Sequence, residues 1–69
     1  MRYGELIRKL QRLGIEFRRQ GRGSHEMWWN PSTRRYTMIP NHPTREIAKG
    51  TLASILKDLE LTEDRLNQG

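Results

Sequence analysis

Apolar residues near the amino terminus recur at intervals of three and four positions. They are Tyr3, Leu6, Ile7, Leu10 and Leu13. This spacing places all five along one stripe of an α-helix. Gly14 follows them at the position where a helix commonly ends on a residue with left-handed backbone geometry. We therefore predict a first helix that ends at about Leu13.

Three short segments with strand character follow, and they cover residues 15–20, 24–30 and 35–39. The first segment alternates apolar and polar side chains, which is the period of a half-buried strand. The second contains the adjacent pair Trp28 and Trp29, and aromatic residues fit the pleated surface of a sheet. Glycine, asparagine and proline residues separate the segments, as expected of turns.

A second helical stripe appears late in the chain. It consists of Leu52, Ile55, Leu56 and Leu59. Thr51 directly precedes these residues and is suited to the N-cap or the first turn of the helix. The run Thr62-Glu63-Asp64 is typical of the start of a short last turn. The order of elements is therefore helix, three strands, helix.

This order predicts the fold. Short loops force the three strands into an antiparallel sheet, and two amphipathic helices can bury their stripes only against one face of it. We predict a single α+β domain over residues 1–69, a two-layer sandwich of order α-β-β-β-α with the other face of the sheet open. The double-stranded-RNA-binding domain has the same order, although a fold alone does not establish a function.

The basic residues indicate a nucleic-acid partner. Lys and Arg number 13 against 8 Asp and Glu, so the formal net charge is +5, and ten of the basic residues are Arg. Arginine suits phosphate contacts and stacking on bases. Basic residues concentrate before residue 23, whereas the tail from Asp58 onward is acidic. Such asymmetry suggests a phosphate-binding surface, and the simpler alternative is surplus arginine for solubility.

Several classes of site are excluded by what the sequence lacks. Without cysteine the chain forms neither a disulfide nor a thiolate metal site, and no apolar run approaches the length of a membrane span. No phosphate-binding loop or dinucleotide fingerprint occurs, and the carboxylates are too scattered to hold two magnesium ions. We therefore expect a cytoplasmic monomer with no membrane contact, metal or other cofactor.

Only two side chains, His25 and His42, ordinarily change charge near neutral pH. They lack the further ligands that a zinc site needs. RNA carries its own nucleophile in the 2′-hydroxyl, so one histidine as general base or acid, with arginines on the phosphate, would suffice to cleave it. A single histidine is nevertheless more often structural. His42 lies between prolines, and we expect it to fix a loop.

Two blocks of sequence resemble the HicA family of mRNA interferase toxins. The first is Gly23-Ser24-His25, followed by Trp28 and Asn30-Pro31, and the second runs from Ile39-Pro40 and His42-Pro43 through Glu46-Ile47 to Lys49-Gly50-Thr51-Leu52 and Ile55-Leu56-Lys57. With the leading helix, the similarity covers roughly residues 3–61. The resemblance implies a double-stranded-RNA-binding-like fold, ribosome-independent cleavage of mRNA with His25 as the catalytic residue, and neutralisation by a HicB-type antitoxin.

One position departs from the family pattern. Many members carry a second histidine directly after the catalytic one, where this chain has Glu26. Successive side chains on a strand point to opposite faces, so Glu26 should not hydrogen-bond to the His25 ring. We expect Gly23 and Ser24 to support His25. Glu16 is the better candidate to orient the ring, provided that the cross-strand register brings the two together.

Strand alternation also assigns residues to the open face of the sheet. If Trp28 packs toward the helices, that face holds His25 and an apolar patch of Met27, Trp29, Tyr36 and Met38. Exposed apolar patches usually mark a partner surface, so we expect the antitoxin to bind His25 and this patch. Two alternatives are that both tryptophans serve a small core, or that Trp29 stacks on an RNA base.

Basic residues near the turns are the candidates for contacts with the RNA backbone. They are Arg18, Arg19, Arg22, Arg34, Arg35 and Lys49, the last at a helix N-terminus, where backbone amides favour phosphate. Such contacts set affinity and salt dependence rather than sequence preference. Two rival functions stay open at this point. One is an RNA-binding module of the same fold without activity, and the other is a small interaction subunit that binds no RNA.

Overall fold

A computed structural model of the chain describes residues 1–68. Its elements are α1 (Tyr3–Arg12), β1 (Glu16–Gln20), β2 (His25–Asn30), β3 (Arg35–Pro40), α2 (Lys49–Asp58) and α3 (Glu63–Gln68). The predicted α+β class and the order α-β-β-β-α are confirmed. Within residues 1–68, the only element beyond this order is α3, which extends the short last turn that the sequence indicates.

The three strands form one antiparallel sheet in the order β1-β2-β3. The central strand β2 pairs with β3 without interruption, from His25 opposite Pro40 to Asn30 opposite Arg35. Pro40 can occupy the last position of β3 because an edge strand tolerates the loss of a backbone donor. This register places the turn before β2 and the loop after β3 at the same end of the sheet.

The apolar stripes of the helices pack against one face of the sheet. The buried core consists of Leu6, Ile7, Leu10, Ile15, Trp28, Ile39, Ile55, Leu56, Leu59 and Leu66. It draws on all three helices, on β2 and on β3, as expected when helices cover a single sheet face. The opposite face of the sheet carries no helix within the described residues, and it is the open face of the prediction.

The ends of the helices follow local sequence signals. Gly14 has a φ of 87°, the left-handed geometry expected after α1. Helix α2 begins at Lys49, with Ala48 at its N-cap and no side-chain cap there. Thr51 consequently lies in the first turn, which is one of its two predicted positions.

Helix α3 closes the core from the carboxyl-terminal side. Leu66 is 1% exposed and packs in the core, while the backbone N–H of Arg65 donates to Oγ1 of Thr62 over 3.1 Å. Nζ of Lys9 on α1 donates to Oδ1 of Asn67 over 3.1 Å. The burial of Leu66 and the hydrogen bond from Lys9 therefore stabilise α3, where the sequence indicates only a turn.

Over residues 1–68, no helix is long and apolar enough to cross a membrane. The same residues contain no group of three or more His, Cys, Asp or Glu side chains placed to hold a metal ion.

Candidate active site on the open sheet face

The first residue of β2, His25, combines a fixed backbone with an exposed side chain. Its N–H donates to the carbonyl of Arg22 over 3.0 Å, and its carbonyl accepts from the N–H of Gly21 over 2.8 Å. The side-chain amide of Gln20 donates to the same carbonyl over 3.0 Å. Within residues 1–68 no hydrogen bond or ion pair engages the imidazole. The ring therefore projects from a rigid turn into solvent, free to meet a ligand.

The turn before His25 depends on glycine. A Cβ at Gly21 would lie 2.5 Å from Cε of Met38 and 3.1 Å from the carbonyl oxygen of His25, so only glycine fits without displacing them. Gly23 has a φ of 56°, which is also a glycine conformation, and its carbonyl accepts from the Gln20 amide over 3.0 Å. These contacts fix the backbone of the turn that precedes His25.

An irregularity in β1 brings two consecutive arginines to the open face. The register with β2 shifts between Phe17 and Arg19, and Arg19 lies opposite Met27. Residues directly opposite share a face, and Met27 is on the open one. The carbon at the centre of the Arg18 guanidinium lies 4.7 Å from the ring centroid of Trp29, which is on that face too. Strict alternation would have placed only one of the two arginines there.

The apolar patch lies where alternation predicts it. Trp28 is 4% exposed and belongs to the core, so its neighbours His25, Met27 and Trp29 face the other way. On β3, Met38 and Tyr36 pair with Met27 and Trp29, and they are 38% and 59% exposed. The alternative in which both tryptophans fill the core is wrong, because only Trp28 does so.

The predicted role of Glu16 is wrong. Glu16 lies opposite Trp29 and accepts a long hydrogen bond of 3.4 Å from its Nε1–H. Trp29 is four residues along β2 from His25, about 13 Å at the usual rise of a strand. Glu16 therefore orients the indole of Trp29 and does not reach the His25 ring.

Glu26 points to the helix side and bonds there, as the alternation requires. Its carboxylate is buried and accepts hydrogen bonds from the Tyr3 hydroxyl, from Nε1 of Trp28 and from Nδ2 of Asn41, the last two over 3.1 Å. Burial acts to raise the pKa of Glu26, but these three bonds favour the charged form and leave the pKa below its ordinary value. Burial, followed by the bond to Glu26, raises the pKa of Tyr3.

The loop after β3 brings the second histidine to the same end of the sheet. Nε2 of His42 lies 3.1 Å from Oγ of Ser24, the residue before His25. The N–H of Asn41 also donates to the carbonyl of Ser24 over 2.8 Å, which extends the β2–β3 pairing by one step. The sequence predicts only that His42 fixes its loop. Extending the hairpin pairing beyond both strand ends could have revealed this contact.

The remaining basic residues are dispersed. Arg22 lies in the turn that precedes His25, whereas Lys49 opens α2 in the helix layer. Arg34 and Arg35 lie at the far end of the sheet, and Nε of Arg35 pairs with Oε2 of Glu60 over 3.3 Å. The structure therefore does not bring Arg34 and Arg35 to His25. They line a separate groove of about 520 Å³ between β3 and the end of α2.

Comparison with known protein families gives a match that covers most of the chain. The family model described as the HicA toxin of bacterial toxin–antitoxin systems matches residues 3–61. The chain belongs to the HicA toxin family. The match runs from α1 through α2 and includes both histidines and the open face. HicA toxins pair with HicB antitoxins, and no match was found among curated proteins or among solved structures.

Proposed function

We propose that this HicA toxin is an endoribonuclease that cleaves mRNA without a metal ion, with His25 as general base or acid. One observation carries the proposal. The His25 imidazole is exposed on a backbone held by three hydrogen bonds, and it shares a sheet face with the guanidinium groups of Arg18 and Arg19. An exposed imidazole with guanidinium groups on the same sheet face is the minimum set of groups that cleavage of a ribose phosphate requires.

The chemistry follows from RNA's own nucleophile. The 2′-oxygen attacks the adjacent phosphorus, and the bond from phosphorus to the 5′-oxygen breaks, which leaves a cyclic phosphate and a 5′-hydroxyl. A positioned histidine that takes or gives a proton contributes typically about 10²–10⁴-fold. Guanidinium groups that face the phosphate stabilise the charge that develops on its oxygens. DNA lacks the 2′-hydroxyl and is spared.

The residues around His25 provide a path for the strand. Arg19 lies opposite Met27, two residues along β2 from His25, and Arg22 lies in the turn that precedes His25; both would hold backbone phosphates. Trp29, with Arg18 over its ring, would accept a base by stacking, a contact worth about 1–3 kcal/mol per base. Arg34, Arg35 and Lys49 lie outside this path. We expect them to contribute only to the overall electrostatic potential that attracts RNA.

The apolar patch around the same site suits the antitoxin. Met27 and Met38 are the members of the patch nearest to His25 along the strands, and Tyr36 lies farther along the same face, opposite Trp29. A HicB-type partner that covers this face as far as its His25 end would also cover the imidazole. We expect binding of the antitoxin to displace a fluorescent RNA from the toxin. Simultaneous binding of both ligands would contradict a shared surface.

The activity is tested by incubating purified toxin with RNA in EDTA. We expect the wild type to cleave the RNA, and His25→Ala to retain RNA binding while cleavage falls by about 10²-fold or more. Thr44→Ala, an exposed change in the loop after β3, is the control that should cleave normally. Tight binding without cleavage by the wild type would instead indicate an RNA-binding module.

A cellular experiment tests the same assignment. Expression of the wild-type toxin should arrest growth, and His25→Ala at the same protein level should relieve the arrest. Equal toxicity of the two proteins would show that toxicity does not depend on the imidazole.

A further inference from the structure

The contact between Ser24 and His42 joins two side chains that could handle a proton next to His25. Oγ of Ser24 and Nε2 of His42 are 3.1 Å apart, and Ser24 directly precedes His25 in the chain. His42 is exposed, so burial does not account for its position. A hydroxyl in hydrogen-bond contact with an imidazole is an arrangement that transfers protons.

The loop that carries His42 is anchored on both sides. Before it, Asn41 bonds through its N–H to Ser24 and through its amide to the buried Glu26. After it, the carboxylate of Glu46 pairs with the amino group of Met1, and the N–H of Ile47 donates to the Met1 carbonyl over 2.9 Å. These contacts anchor the backbone on both sides of the residue that contacts Ser24.

Cleavage of RNA requires two proton transfers, one from the 2′-hydroxyl and one to the departing 5′-oxygen. A single imidazole that takes the first proton has to deliver it to the second oxygen. A second titrating group removes this constraint, because base and acid then act at the same time on opposite sides of the phosphate. The open-face imidazole of His25 and the Ser24–His42 pair are two such groups at one end of the sheet.

We infer that His42 is a positioning and proton-supplying residue that acts through the hydroxyl of Ser24 on the 5′-oxygen that leaves, while His25 accepts the proton of the 2′-hydroxyl. The inference rests on the proposed ribonuclease function.

The protons balance in this scheme. Protonated His42 carries hydrogen on both ring nitrogens, so its Nε2–H donates to Oγ of Ser24. The hydroxyl hydrogen of Ser24 is then free for the 5′-oxygen. As the bond from phosphorus to that oxygen breaks, the oxygen takes the Ser24 proton and Ser24 takes one from His42. His25 ends with the proton of the 2′-hydroxyl, and exchange with water resets both histidines.

An RNA substrate whose leaving group needs no proton distinguishes the proton-supplying role of Ser24 and His42 from a structural role. Replacing the scissile 5′-oxygen of an RNA with sulfur provides it, because a thiol is a far stronger acid than an alcohol and departs as the thiolate. The test variants are Ser24→Ala and His42→Gln, the second of which keeps a hydrogen-bonding side chain on Ser24. Thr44→Ala in the same loop is the matched control.

On ordinary RNA we expect both test variants to cleave about 10²-fold more slowly than the wild type. On the sulfur-substituted RNA both should match the wild type, whereas His25→Ala should stay slow on both substrates. Thr44→Ala should behave as the wild type throughout. Thermal melting of each variant reports whether its fold is retained.

The pH profile provides a second readout. Loss of the acid should remove the fall in rate at high pH, since only the deprotonation of His25 then governs the profile. Equal losses on both RNAs would indicate a structural role for the pair and overturn the inference, as would unchanged rates on ordinary RNA. If the wild type cleaves neither substrate, the proposed ribonuclease function itself fails, and this result differs from both of the others.

Discussion

At the position where the family resemblance leads one to expect a second histidine, the chain has a buried carboxylate. Glu26 is 8% exposed, and its three donors come from α1, from β2 and from the loop after β3. A buried carboxylate is costly unless it is hydrogen-bonded, so the three donors and Glu26 depend on each other. Through Asn41 the network also fixes the loop that carries His42.

Glu26→Gln should therefore destabilise the fold. The amide keeps one carbonyl acceptor but loses the charge and leaves at least one buried donor without a good partner, at a cost of about 1–3 kcal/mol. Chemical denaturation measures this as a lower free energy of unfolding. Glu5→Gln, which breaks an exposed pair with Lys9 on α1, is the control and should change stability by less than about 0.5 kcal/mol. Equal losses in the two variants would contradict the network.

The same carboxylate predicts loss of stability in acid. Its pKa lies below the ordinary value of 4.5, so its contribution is complete above pH 4.5 and is lost as the pH falls through the lowered folded value. The stability difference between wild type and Glu26→Gln should consequently shrink below pH 4.5. Glu46, whose pKa is lowered by its bond to the terminal amine, titrates in both proteins and cancels in the difference. A difference independent of pH would refute this account.

At the scale of elements, the β1–β2 hairpin sets the position of the His25 imidazole through the close approach at Gly21. Gly21→Ala should displace the flexible end of the Met38 side chain and press on the carbonyl of His25, at a cost of about 1 kcal/mol and with reduced cleavage of RNA. Gly50→Ala is the contrast, since no atom within 4 Å would meet its Cβ and alanine favours the helix. That variant should gain about 0.5–1 kcal/mol. Thermal melting and the RNA cleavage assay together measure both variants.

The elements also show which features of the fold can be predicted from the sequence. Periodicity identifies both long helices, the three strands and the open-face position of His25, because each depends on neighbours within a few residues. The irregularity in β1 that turns Arg19 outward depends on pairing with β2, and the contact of Ser24 with His42 depends on the β2–β3 register. Cross-strand register involves residues distant in sequence, so alternation alone places Glu16 on the correct face but does not show that it lies opposite Trp29. It also leaves His42 without a chemical partner.

At the scale of the whole molecule, both layers carry basic residues, but the acidic residues of the last third lie away from the open face. Acidic residues of the last third belong to the helix layer or its contacts, where Asp58 accepts from Thr37 over 2.9 Å and Glu60 pairs with Arg35. The open face instead presents Arg19 opposite Met27 and Arg18 over the Trp29 ring, on the same face as His25. We expect an RNA strand on the open face to meet these two arginines together with Glu16, whereas the acids of the last third lie near the helices and at the far end of the sheet. We expect this arrangement to attract a polyanion to the open face.

The salt dependence of RNA binding tests whether the arginines of the open face contact the RNA. In the His25→Ala background, which leaves the RNA intact, Arg18→Ala and Arg19→Ala should each weaken binding. Each should also reduce the slope of log affinity against log salt by about 0.7, the value for one phosphate contact on a single strand. Arg8→Ala removes the same charge from the exposed side of α1 and should leave the slope unchanged. If Arg8→Ala lowers the slope as much as the others, the RNA responds to net charge alone, and no defined path across the open face exists.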